Sequence, residues 1–259
     1  MERQRKRRLT QQETHDLLLE EGVRALHGEG VGIGLDAVSL ETAIRATGVA
    51  RASAYRLWPA TDEYGPQDLF QREVLQKAIG ARDAAITKTI EVVTEVITSL
   101  GESATPHELY QAMIRPGAQT NLEGIRSSPE WRIVIALHSL VSARPDHARD
   151  PELVAMLDEA EAEWREKIEN DFYRPLQELL GLKPRPAFGD DAIQLVILAA
   201  NALAEGLISK DALTEASAYV DKTWTLEDGN DWGLFALVFE AIVPIFFETP
   251  WDDSRTAFD

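Results

Sequence analysis

With 259 residues, 44% of them hydrophobic, the chain is long enough for one large domain or two unequal ones and can build a substantial core. It has no Cys, which excludes a disulfide framework, thiolate chemistry and a Cys-ligated metal, and suits a reducing, cytoplasmic setting. A formal net charge of −18 excludes a protein that coats nucleic acid with its whole surface, because phosphate binding needs positive charge at the contact.

The charge is uneven. Residues 1–60 hold nine Lys/Arg against eight Asp/Glu, a net of +1, and the remainder carries −19. A chain of this kind can touch DNA with its first quarter while the acidic remainder orients the approach. The basic N-terminus is followed by polar Leu9–Glu13, not by the apolar run of a secretory signal. No run approaches the roughly 20 apolar residues of a bilayer crossing. Ala192–Ala204 comes nearest and is interrupted by Gln194 and Asn201. No membrane partner is expected.

In chain order, residues 1–9 form a basic arm, which either reaches phosphates or an adjacent minor groove or is a solvated terminus. Thr10 and Glu13 have capping-box spacing at the head of a helix from Gln11 to His27, striped by Leu17, Leu18, Val23 and Leu26. Residues 28–34 alternate Gly with other residues. A phosphate loop needs a preceding strand and a helix opening at its last Gly; a helix precedes this run, so a plain loop is expected. Ser39 caps a helix over Leu40–Thr47, with Glu41 favourably placed in its first turn. Gly48 supplies the positive φ of a sharp turn, Val49 plugs the angle, and a second helix runs over Arg51–Leu57 until Pro59. Two short helices so joined read as a helix-turn-helix, whose second helix enters the DNA major groove.

The stretch Ala43–Pro59, AIRATGVARASAYRLWP, resembles the TetR family of transcriptional repressors. Gly48, Val49, Tyr55 and Pro59 match its signature, with Trp58 in place of the usual Phe, and the likeness covers about residues 10–75. Ala50 stands where the family usually has a capping Ser, Ala52 where Gly is frequent and Thr61 where a Lys usually binds phosphate. The glycine loop is longer than the family's connection, and Glu63–Gly65 reads as an insertion. The resemblance implies that Tyr55 packs on the core and offers its hydroxyl to a phosphate. It also places Ser53 and Arg51 near phosphate or base edges. Arg56 can reach either, bidentate Arg–guanine being the commonest specific contact. The candidate DNA contacts are Arg5, Lys6, Arg7, Arg8, Ser39, Arg51, Ser53, Tyr55, Arg56 and Thr61. Core packing is the main reading of Trp58.

Gln67–Leu100 reads as one long helix and Ala104–Arg115 as a short one, capped by Thr105 and stopped by Pro116-Gly117. Pro129–Ser142 follows, then a long acidic helix from Asp150-Pro151 to Leu180, whose carboxylates form a solvated face, not a metal site. Leu182–Phe188 is a linker. Asp191–Ile208 and Asp231–Phe247 are apolar nearly all round, with an amphipathic helix over Lys210–Thr223 between them. The apolar pair is expected to bury itself against a second copy about a two-fold axis, giving a homodimer through 191–208 and 231–247. Its alternative is a monomeric core. Candidate contacts for an apolar small-molecule effector are Tyr110, Met113, Trp131, His138, Trp164, Phe172 and Asn201, each of which also suits core packing.

The five His residues form no metal pair, and neither a nucleophile elbow nor a Walker loop appears. No enzyme, cofactor or metal is expected. The sequence therefore predicts an all-α protein. A basic arm (1–9) leads a three-helix DNA-binding domain (10–66) and a larger helical ligand-binding and dimerisation domain (67–249), with a loose tail (250–259). Its expected partners are double-stranded DNA, itself and an unidentified small effector, as a cytoplasmic, ligand-released repressor. The alternatives are the same fold binding ligand or protein without DNA and, after it, a helical-bundle enzyme.

Overall fold

The computed structural model describes residues 9–29, 38–145, 147, 150–211, 213–227 and 229–251, and they are mostly helical. The Arg5–Arg8 arm, most of the glycine-rich run and residues 252–259 lie outside the described residues. The chain divides into two compact units. One runs to Arg82 and takes in Pro129–Asp150; the other takes Asp83–Ser128 and continues from Pro151.

The first unit begins with α1 (Gln11–Glu29). Its capping box forms as expected: the Thr10 amide donates to Glu13 Oε2 at 2.8 Å, and the Glu13 amide to Thr10 Oγ1 at 3.1 Å. Helix α2 (Leu40–Thr47) is capped by Ser39, whose Oγ accepts the Thr42 amide at 3.3 Å. Gly48 follows at φ 70°, the left-handed conformation that a residue without Cβ adopts at little cost. Helix α3 (Arg51–Ala54) is shorter than expected, with its end running into turns, and Ala50 gives it no side-chain cap. Helix α4 (Pro66–Gly80) buries Phe70, Val74, Leu75, Ala78 and Ile79. A Cβ on Gly22 of α1 would lie 2.5 Å from Val74 Cγ2 and 2.8 Å from Phe70 Cζ, so the missing side chain lets α1 and α4 close together. Helix α7 (Pro129–Ala143) packs on α1 and α4 and buries Trp131, Ile133, Val134 and Leu137.

The first unit is thus larger than residues 10–66. Helices α4 and α7 belong to it because their apolar stripes need α1, and each other, for burial. One polar clamp joins α4 to the chain just before α2. Gln67 and Gln71 both donate to the Val38 carbonyl, at 2.6 and 3.0 Å, and the Leu40 amide donates back to Gln67 Oε1 at 2.9 Å.

The expected rod over Gln67–Leu100 is interrupted. Helix α4 ends at Gly80 and α5 (Ala84–Leu100) starts four residues later. The Ala81 amide bonds the Ala78 carbonyl, a tight final turn, and Arg82 is buried with its guanidinium carbon 5.4 Å from the Trp131 ring centroid. The apolar period continues across this break, which is why periodicity alone misses it.

In the second unit, α5 pairs with α6 (Pro106–Ser127). Helix α6 passes straight through Pro116, where a stop was expected. Proline removes one helical N–H, a local cost of about 3 kcal/mol. Close packing opposes that cost: a Cβ on Gly117 would sit 2.9 Å from Val93 Cγ2, and one on Gly124 2.9 Å from Ala85 Cβ. Helix α8 (Pro151–Ile168) and α9 (Arg174–Leu180) make up the expected 151–180 helix, joined by a π-turn over Glu169–Tyr173 in which the Arg174 amide bonds the carbonyl five residues back. The stretch expected as a linker holds β1 (Lys183–Pro184), paired antiparallel with β4 (Phe247–Glu248).

Helix α10 (Ala192–Asp211) buries Ile193, Val196, Ile197, Ala200 and Ala204 and packs on α12 (Leu234–Phe246) and α6. With its preceding turn, Gly189–Asp211 is long and apolar enough, by length and composition, to cross a membrane, which the sequence reading had not anticipated. Helix α11 (Thr214–Val220) is shorter than expected, and Asp231–Gly233 forms β3, paired with β2 (Thr223–Thr225), before α12 begins. Arg126 fastens the end of α10 to the end of α11: Nε lies 2.7 Å from Asp211, and Nη1 donates to Asp221 at 2.6 Å. Pairing with Arg126 holds the Asp221 carboxyl below the usual carboxylate range. Trp251, expected in a loose tail, stacks on His107 at 5.5 Å and lies 5.3 Å from the Tyr110 ring.

Candidate functional site

Two places gather the candidate residues, one in each unit. In the first unit, Trp58, four residues past α3, ties that segment to α1 and α4. It is buried, donates Nε1 to Glu73 Oε2 at 2.6 Å and meets Phe70 edge-on at 4.9 Å. His15 stacks on the same indole at 5.2 Å, with Nε2 2.8 Å from Glu73 Oε1. Core packing is therefore the role the structure gives Trp58.

On that support Arg51 and Arg56 are exposed, while Ser53 and Tyr55 are half-buried. Arg56 Nη2 donates to Ser53 Oγ at 3.1 Å, and both line a polar cleft with Thr10, Gln11 and Thr14 at the head of α1. The Tyr55 hydroxyl donates to Glu41 Oε1 at 2.5 Å. Arg51 Nη2 is 2.8 Å from that same oxygen, and its guanidinium carbon lies 5.3 Å from the Tyr55 ring centroid. The Tyr55 hydroxyl and the Glu41 carboxylate hold Arg51 above its ordinary value. Arg51, Ser53, Tyr55 and Arg56 are thus brought together on one short segment.

Ser39 and Thr61 have local work. Ser39 caps α2. Thr61 Oγ1 accepts the Tyr64 amide at 2.9 Å and closes the turn before α4, where Asp68 Oδ2 accepts the amide of the N-cap Gly65 at 2.9 Å. Glu41 was missed as a site residue. Its first-turn position in α2 marks it as a helix-dipole carboxylate, and nothing in a linear reading places it against Tyr55, 14 residues on.

The second unit holds an open-mouthed cavity of about 780 Å³, a volume that includes solvent in its mouth. Of the seven candidate effector contacts, Tyr110, Met113 and Phe172 line it. Trp131 and His138 do not, since α7 carries both into the first unit. Trp164 is buried in α8 and Asn201 is half-buried on α10; neither lines the cavity. Lining residues absent from the sequence reading come from α5 (Ile86, Thr89, Val93), from α9 (Leu176, Gln177) and from α12 (Phe235, Phe239, Val243).

The π-turn adds Tyr173 beside Phe172. Such turns widen a helix locally and recur at functional sites. Burial pushes the Tyr173 phenol up and, with the charge of Glu240, the Tyr110 phenol as well, so both are neutral donors at any physiological pH. The Tyr110 hydroxyl already donates to the Glu240 carbonyl at 3.3 Å. No Asp, Glu, Lys, Arg or His lies among the lining residues described. No cluster of metal-ligating side chains occurs among the described residues. Compared with known proteins, the chain matches no family model, no curated protein and no solved structure.

Proposed function

We propose that the chain is a DNA-binding transcriptional regulator, most simply a repressor, with α2 and α3 acting as the helix-turn-helix that the TetR-like stretch implies. The observation that carries the reading is the segment Arg51–Arg56. It follows a left-handed glycine turn, presents two exposed guanidinium groups beside Ser53 and Tyr55, and sits on a buried Trp58. The net charge of +1 over residues 1–60, against −19 over the remainder, supports it. The basic arm Arg5–Arg8 adds phosphate contacts in this proposal. Catalysis has no part in it, and the setting is cytoplasmic.

The cavity is the effector site. Its lining is apolar with a few uncharged polar groups, Thr89, Asn121, Tyr173 and Gln177 among them, so the effector is a neutral, mostly apolar molecule anchored by hydrogen bonds. A carboxylate or ammonium group would enter without a counter-charge. Homodimerisation through α10 and α12 sets two copies of α3 on a palindromic operator, about 34 Å apart. Outward-facing Leu198, 54% exposed, and Ile245, 37% exposed, suit a second copy. The effector releases DNA by binding the two conformations unequally, since equal affinity shifts nothing.

Selection of bound sequences from random duplex DNA at low salt tests the reading. Recovery of a palindrome with salt-dependent binding is expected. No enriched sequence and no shift of any duplex would refute it. That result would favour the second reading, a ligand- or protein-binding module without DNA. Uncapped Ala50, Thr61 engaged in its own turn, and Glu41 seated on Arg51 and Tyr55 favour it.

A further inference from the structure

We propose that Glu41 is a built-in stand-in for a DNA phosphate, occupying an anion site made by Arg51 and Tyr55, so that DNA engages this site only by displacing it. The inference rests on the DNA-binding reading above and adds to it a residue that sets affinity. A single oxygen, Glu41 Oε1, receives the Tyr55 hydroxyl at 2.5 Å and faces Arg51 Nη2 at 2.8 Å. A guanidinium and a hydroxyl converging on one anionic oxygen is the arrangement that a backbone phosphate oxygen takes from a protein. The guanidinium also lies over the Tyr55 ring, so both donors are held as a pair.

The position of Glu41 in the sequence explains why the carboxylate stays. It is the second residue of α2, where the unpaired amides and the helix dipole favour negative charge. Its backbone is fixed by the Ser39 cap next to it, and the Gln67 clamp holds the neighbouring Leu40 amide. Only the side chain is free to rotate. The pair is also open to solvent: Arg51 is 70% exposed and Glu41 43%. An ion pair this exposed is screened and weak, so a phosphate can displace it.

Glu41 therefore lowers affinity for any duplex by occupying the two donors and by repelling the phosphate that replaces it, a cost that does not depend on base sequence.

The test uses the full-length protein, random-sequence duplex and Glu41→Gln, an isosteric change that removes the charge and keeps an acceptor for Tyr55. Glu41→Gln is expected to tighten binding about fivefold at low salt, a size set by exposed ion pairs. It is expected to steepen the plot of log affinity against log salt by about 0.9, one further phosphate neutralised. In an Arg51→Ala background the same change should give no gain, because the donor it releases is gone. Thermal midpoints confirm that each variant folds; Glu41→Ala replaces the amide if it does not. Wild-type binding that is unchanged or weakened by Glu41→Gln overturns the inference and leaves the DNA-binding reading standing. So does a gain that persists without Arg51, which reports net charge alone. Binding by Glu41→Gln where the wild type shows none supports it. Failure of both proteins on every duplex removes the DNA-binding reading and this inference together.

Discussion

The two units solve the packing of helices in opposite ways. In the first, Gly22 lets α1 and α4 approach until a single methyl would collide, and aromatic side chains fill what is left. In the second, Gly117 and Gly124 bring α5 and α6 equally close, yet α6, α9, α10 and α12 leave a lined cavity beside that contact. An interior closed by large aromatic side chains holds the surface above it in one shape. An unfilled apolar interior costs stability and is kept where something enters it.

The contrast can be broken at several points. Trp58→Ala should have the largest effect. It empties the centre of the first unit and frees Glu73 from the indole, at about 3–5 kcal/mol by denaturant unfolding. Gly22→Ala should follow, since Val74 and Phe70 must both give way, at about 1–3 kcal/mol. Both changes should leave binding of a neutral dye to the second unit intact. A dye affinity that fell in step with stability would show that the two interiors are one.

Met113→Trp should reverse the pattern. Filling the cavity should abolish binding of a neutral solvatochromic dye while stability shifts by less than about 3 kcal/mol. Retained dye affinity would place the dye elsewhere.

How much of this was legible in the sequence differs between the units for a physical reason. Capping is local, so Thr10, Ser39 and Thr105 were read correctly as caps and Gly48 as a turn. Helix continuity is not local. The break after Gly80 depends on Arg82 reaching Trp131, almost 50 residues ahead, and the passage of α6 through Pro116 depends on Val93 and Ala85 opposite. The cavity residues follow the same logic. Tyr110, Met113 and Phe172 were found because they are large and lie on middle helices. Trp131 and His138 fit the same description but ride on α7, whose membership of the first unit has no signature in its own sequence. Glu41 carries a correct local reading, a first-turn carboxylate, and its contact with Tyr55 required the turn at Gly48 to be folded first.

The smallest expected effect concerns α6. The Thr105 backbone amide and hydroxyl both donate to Glu108 Oε2 at 2.8 Å and hold that carboxyl below its ordinary value. A carboxyl depressed in the folded state contributes stability above its unfolded value and loses it as pH falls through the folded one. Glu108→Gln should therefore lower stability slightly at neutral and alkaline pH, leave it nearly unchanged at pH low enough to protonate the carboxyl, and so flatten the acid limb of the stability curve. An unaltered acid limb would mean that the capping box survives protonation.

The place of α7 in the chain bears on how the molecule is made. A ribosome delivers the N-terminal end first, and domains generally fold as units as they emerge. Helices α1 to α4 emerge with the face that α7 covers still bare, and the whole α5–α6 hairpin is synthesised before Trp131 reaches it. The nascent first unit must therefore wait for about 45 residues belonging to its neighbour before its interior can close. During that interval the α1–α4 surface is what a chaperone would hold, and a chain released at Arg82 would be a fragment of this unit without its last helix.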